Sequence, residues 1–218
     1  MSKGAEKPSQ TVSEYILNLL MTKKLMPGEK IGEARLAEEI GCSRTPIRDA
    51  LKQMESYGLV EIYPNRFVQV ADYTPEMISE VGTLRLSMEQ LAGRLALMFG
   101  NRVDFLRLRQ IAEECRRALQ EGDYTRRVEL DCQFHMELSR IGGHKLLLRY
   151  QNEIYLRVKF IILHHPCIIE DETTHLNQHF EIVDALEAGD KERMQEAIQQ
   201  HITSFYSRYT TIPEEILQ

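Results

Sequence analysis

The chain has 218 residues, 43% hydrophobic and 28% charged, with a formal net charge of −6. That length and apolar content can bury one large core or two modest ones, and the net acidity argues against a protein that coats nucleic acid indiscriminately. No apolar run approaches the roughly 20 residues that span a bilayer, and the polar start Met1 to Gln10 lacks the apolar block of a secretory signal, so a cytoplasmic protein without a membrane partner is expected. Cys42, Cys115, Cys132 and Cys167 are widely spaced, with no CxxC pair, and read as reduced thiols.

The acid is unevenly placed. Residues 1 to 72 hold 10 Lys and Arg against 10 Asp and Glu, whereas the remaining 146 hold 17 against 23. The N-terminal part is therefore the less repelled by phosphate. There Thr11 to Glu14 matches a capping box, and Val12, Tyr15, Ile16, Leu19 and Leu20 share one helical face before Pro27-Gly28 turns the chain. A short second helix faces Leu36, Ala37 and Ile40 inward and ends at Gly41, a residue suited to a left-handed cap. Ser43 is the expected N-cap of a third helix, its hydroxyl accepting an orphan N–H, with Pro46 tolerated in the first turn. Ile47, Ala50, Leu51 and Met54 form the buried stripe of that helix, and Arg44, Thr45, Arg48 and Lys52 fall on the other side. Leu59 to Tyr63 and Phe67 to Ala71 then read as a hairpin, or wing, around Pro64-Asn65-Arg66.

Two short helices followed by a hairpin form a winged helix-turn-helix whose second paired helix enters the major groove. Arg44 and Arg48 can each donate two hydrogen bonds to guanine, Thr45 can serve a phosphate or a base edge, and Arg35 and Arg66 are candidate backbone or minor-groove contacts. The stretches Leu25 to Gly28, Leu36-Ala37, Ser43 to Leu51 and Gly58 to Val60 closely resemble the GntR family of bacterial transcription regulators. That resemblance implies DNA contacts from Arg35, Arg44, Thr45 and Arg48, with Ser43 opening the recognition helix. It departs from the family at Asn65-Arg66, where a wing-tip glycine is usual; Asn tolerates the left-handed turn.

Asp72 to Pro75 marks a boundary, so residues 1–72 are read as the DNA-binding domain and 75–210 as a second domain. Beyond it the pattern is helical throughout, in about six segments: 75–98, 103–121, 125–141, 145–165, 172–188 and 190–208. The fold expected is mainly α: a winged helix-turn-helix followed by an all-α bundle.

In the third of these segments Asp131 and His135 share the apolar stripe of Val128 and Leu138, and His179 and His201 sit on the buried stripes of the fifth and sixth. Inward carboxylate and imidazoles are costly unless paired, and three nitrogens with one oxygen suit Zn²⁺, Ni²⁺, Mn²⁺ or Fe²⁺. Asp131 to His135, His179 to Ile182 and His201 look like the metal-binding form of the FadR C-terminal domain, which implies a divalent metal beneath a small-molecule pocket. Arg85 lies on the stripe of Ile78, Val81, Met88, Ala92 and Leu95; it either pairs with an internal acid such as Glu89 or Glu129 or anchors an organic-acid effector. Arg157 is a second effector candidate, His144 is unassigned, and His164, His165 and His175 read as loop or surface residues.

Together these readings describe a homodimeric, ligand-responsive transcription factor, a repressor rather than an enzyme, that binds a palindromic operator and senses a small organic acid near a divalent metal. The alternatives are a regulator that senses the metal itself and a metal-dependent hydrolase.

Overall fold

The computed structural model describes residues 11–165 and 171–206. The chain forms two compact units that part between Asp72 and Tyr73.

In the first unit Thr11 caps α1 (Val12–Met21) through a capping box: its hydroxyl accepts from the Glu14 amide, and the Glu14 carboxylate accepts from the Thr11 amide. Ile16, Leu19 and Leu20 are buried where α1 meets α3 (Arg44–Ser56), which contributes Ile47, Ala50, Leu51 and Met54. Between them α2 (Glu33–Ile40) stops at Gly41, whose φ of +77° lets its N–H turn back to the Ala37 carbonyl. Ser43 has the extended backbone of an N-cap, but its hydroxyl makes no capping hydrogen bond, contrary to expectation. Ser43, Arg44 and Thr45 are exposed, so water can satisfy the first-turn donors and the helix starts without that bond.

The wing is a three-stranded antiparallel sheet in the order β1 (Lys30–Ile31), β3 (Phe67–Val70), β2 (Val60–Tyr63). The hairpin was expected; the short β1, which pairs Ile31 with Val68, was not. At its tip Asn65 adopts φ +59°, the left-handed turn its side chain tolerates.

The second unit is all helical among the described residues: α4 (Pro75–Phe99), α5 (Arg102–Gln120), α6 (Tyr124–Ile141), α7 (Lys145–His164), α8 (Glu172–Ala188) and α9 (Lys191–Tyr206). Thr74 accepts from the Met77 amide with Pro75 at the first helical position. The expected end of the last segment, 207–208, lies outside the described residues, as does Cys167. Cys42, Cys115 and Cys132 are free thiols.

A long α4 packs against α6, α7 and α9. Its approach to α9 needs a small residue: a Cβ on Gly82 would stand 2.7 Å from the Tyr206 ring. Phe134, Val158, Ile161, Val183, Ile198 and Ile202 lie in the centre of this bundle, and no described helix is long and apolar enough to cross a membrane.

Candidate functional site

On the first unit the polar side of α3 exposes Arg44, Thr45, Arg48 and Lys52. A groove between the start of α2, α3 and the wing is lined by Glu33, Arg44, Arg48, Lys52 and Arg66, which brings three of the sequence's basic candidates, Arg44, Arg48 and Arg66, to one surface. Arg48 Nε donates to Glu33 Oε2 at 2.7 Å across the two helices. Arg35 is placed outside that groove, turned along α2 to Glu39 at 2.8 Å. Arg35, Glu39 and Arg48 are exposed and Glu33 is half-buried, so both pairs stabilise the fold little.

Inside the second unit the buried stripes of α6, α8 and α9 bring Asp131, His135, His179 and His201 together, with one potential ligand atom of each within 4.8 Å of the others. His135 Nε2 lies 3.0 Å from His201 Nε2 and 3.4 Å from His179 Nε2, and His179 Nε2 lies 3.5 Å from Asp131 Oδ1. A tetrahedral ion with metal–nitrogen bonds of about 2.0–2.1 Å separates its donors by roughly 3.3 Å, close to these spacings. All four residues are at most 1% exposed. Burial drives the pKa of His179 and of His201 well below the imidazole norm, so both are neutral and offer lone pairs. Burial alone would raise Asp131, yet neighbouring positive charge, Arg127 among it, holds its carboxyl below the usual carboxylate value, so it is ionised.

Asp131 Oδ1 has no hydrogen-bond partner, and three imidazole Nε2 atoms crowd beside it. A buried anion without a partner is costly, and a cation between it and the imidazole nitrogens relieves that cost. These residues therefore fit a divalent ion. Cys132 points elsewhere; burial pushes its thiol up to about 12, and it packs as a neutral side chain.

Beside this cluster a second polar set descends from α4 and α7. Tyr155 Oη accepts from Arg85 Nε at 2.8 Å and donates to Glu89 Oε1, which also accepts from Gln151 Nε2 at 3.0 Å. His135 Nδ1 lies 3.2 Å from the same Glu89 oxygen, and Arg85 Nη2 approaches His135 Nε2 at 3.0 Å. Of the two acids named for Arg85, Glu89 is reached through Tyr155, whereas Glu129 is exposed and pairs with Lys159. Arg85 Nη1, Glu89 Oε2 and Gln151 Oε1, all buried, have no hydrogen-bond partner.

Arg157 is placed apart from this set, in an outer groove between α4 and α7 with Leu84, Leu91 and Tyr150. His144 lies outside too, as the N-cap of α7, its Nδ1 accepting from the Leu147 amide. The expectation for His175 is corrected. It is buried in α8 and stacked on His201 with ring centroids 4.1 Å apart, and burial lowers its pKa to about 3. The signal was available, because His175, His179 and Ile182 recur at i, i+4 and i+7. Tyr155 and Gln151 were missed altogether, although Leu147, Gln151, Ile154, Tyr155 and Val158 recur at i, i+4, i+7, i+8 and i+11 along α7.

The FCD domain family model matches residues 80–204, and the model of bacterial regulatory proteins of the gntR family matches residues 8–70. This chain is a GntR-family regulator with an FCD domain. YdhC, an HTH-type transcriptional regulator of Bacillus subtilis, is 27% identical to it over 191 residues, covering 83% of this chain and 80% of the relative. A probable D-xylose utilization operon transcriptional repressor of Paenarthrobacter nicotinovorans is 26% identical over 200 residues, covering 89% of this chain and 85% of its own. Among solved structures E. coli McbR/YncC superposes with a TM-score of 0.74 at 23% identity, over 91% of this chain and 97% of that one. The GntR family and these relatives are transcriptional regulators, not enzymes, which removes the metal-dependent hydrolase from consideration.

Proposed function

We propose that this GntR-family regulator is a cytoplasmic homodimeric repressor that holds a divalent metal on Asp131, His135, His179 and His201 and leaves a palindromic operator when a small organic acid binds beside Arg85. The observation that carries the reading is the convergence of three imidazole Nε2 atoms and a carboxylate in a buried site next to a guanidinium. When bound, the ion supplies concentrated positive charge and a position for a carboxylate oxygen. Glu89 Oε1 lies 3.2 Å from His135 Nδ1, where an outer carboxylate stands behind a metal-bound imidazole. Phe134, stacked on His179 at 4.2 Å, keeps water from that side. Arg85 contributes a fork of donors that matches the effector carboxylate.

On the DNA side Ser43, Arg44, Thr45, Arg48 and Arg66 are the proposed contacts, with Arg35 at the periphery. The repressor sign draws on the Paenarthrobacter relative. The direct test strips the full chain with a chelator, reloads it with Zn²⁺ or Mn²⁺ and titrates a panel of small carboxylates while following thermal unfolding. Metal at a hundredfold excess over its Kd is expected to add about 2.7 kcal/mol. A carboxylate should add a further shift only in the metal-loaded protein. Metal shifts that survive His201→Ala, or carboxylate shifts that survive Arg85→Gln, contradict the assignment.

A further inference from the structure

We propose that Glu33 is a positioning residue that sets how sharply Arg48 discriminates between bases. The inference rests on the DNA-reading role of α3 given above. Glu33 is the first residue of α2, and Arg48 lies in the second turn of α3, so each backbone is held by its own helix while the side chains meet between them. Arg48 is 60% exposed and long, a side chain that otherwise samples many rotamers. The Glu33 carboxylate takes Nε, on the inner edge of the guanidinium, at 2.7 Å. That bond leaves Nη1 and Nη2, the end of the fork that matches O6 and N7 of guanine.

Charge makes the same point. Among the residues lining this groove Glu33 is the single acid, set with Arg44, Arg48, Lys52 and Arg66. A carboxylate there repels phosphate and lowers sequence-independent affinity, so affinity does not explain it; orientation of Arg48 does. The Arg35–Glu39 pair is a contrast, since both members belong to α2 and neither lines the groove.

The experiment selects duplexes from a randomised library with the full-length parent, Glu33→Ala, Glu33→Gln and Arg48→Ala at one salt concentration, then measures each protein on the selected duplex and on an unselected one. Glu33→Ala is expected to bind the unselected duplex more tightly yet lose about tenfold in the ratio of selected to unselected affinity, with its guanine preference blurred at the position that Arg48→Ala loses. Glu33→Gln removes the charge but keeps an acceptor for Nε, so it should retain most of that preference while sharing the tighter unselected binding. Unchanged thermal unfolding of the variants excludes a folding defect. If Glu33→Ala gains equally on both duplexes and keeps its base preference, Glu33 acts by charge alone and the proposal is overturned. If Arg48→Ala keeps the parent's preference, or the parent enriches no consensus, the DNA-reading role of Arg48 falls, and this inference with it.

Discussion

Tyr155 carries one hydroxyl between two buried charges, accepting from Arg85 Nε and donating to Glu89 Oε1. Burial and the neighbouring Glu89 carboxylate push its own pKa well above the phenol norm, against the Arg85 guanidinium, so the hydroxyl stays protonated and can do both. Tyr155→Phe keeps the ring and its contact with His135 but leaves Arg85 Nε without its acceptor. Stranding a buried donor costs about 1–3 kcal/mol, so urea unfolding of the variant should show a lower midpoint at unchanged slope. A midpoint equal to the parent's would mean that water or a shifted Glu89 replaces the hydroxyl. Arg85 and Glu89 stand one turn apart in α4, and that spacing alone suggests an ion pair. What intervenes is a residue of another helix, and the period of α4 carries no information about how α7 is rotated against it. The same reasoning explains why Asp131, His135, His179 and His201 were legible: each sits on the apolar stripe of its own helix, and only their meeting point needed the fold.

At the scale of elements, two helix starts were readable from the side chains that cap them, Thr11 and Thr74. The two-residue β1 was not, because a strand that short shows no alternation and exists only through pairing with β3. The paired helices α8 and α9 impose a pH dependence. Burial depresses the pKa of His175, His179 and His201, whereas in the unfolded chain such rings titrate near pH 6.5. Below about pH 6.5 the unfolded state therefore binds more protons than the folded one, and stability falls as pH falls. At pH 5 each such ring costs about 2 kcal/mol relative to pH 7. Chelator-treated protein should thus lose urea resistance between pH 7 and pH 5. The loss should be smaller in His175→Phe, which retains an aromatic ring against His201 and removes one titrating group. Equal midpoints at the two pH values would show that these imidazoles are charged in the folded protein.

At the scale of the molecule, α4 has more apolar surface than its own bundle covers. Leu84, Met88, Leu91, Leu95 and Met98 recur at alternating spacings of four and three along it, the repeat of a helix seam; all are half-buried or exposed, and Leu84 and Met98 reach 50% and 71%. A helix apolar nearly all round shows no single stripe, so the sequence alone assigned Met88 and Leu95 to the inner face together with Arg85. Leu146 and Tyr150 of α7, also more than half exposed, form the opposite wall of the groove, followed by Glu153 and Arg157 one turn apart. Glu153 already meets Arg149 at 3.7 Å, so it is the apolar residues of the groove that a two-fold copy of the same surface can cover. A second copy is also what operator reading demands, since one recognition helix spans too few base pairs to specify a site. Replacing both Leu84 and Tyr150 by Glu should therefore yield a monomer of unchanged helical content in sedimentation equilibrium. Its affinity for a palindromic duplex should fall to nearly that for a single half-site, because the two half-sites no longer bind as one unit. A double variant that sediments with the parent's mass, or a parent that is itself monomeric at micromolar concentration, would place the partner surface elsewhere on the chain.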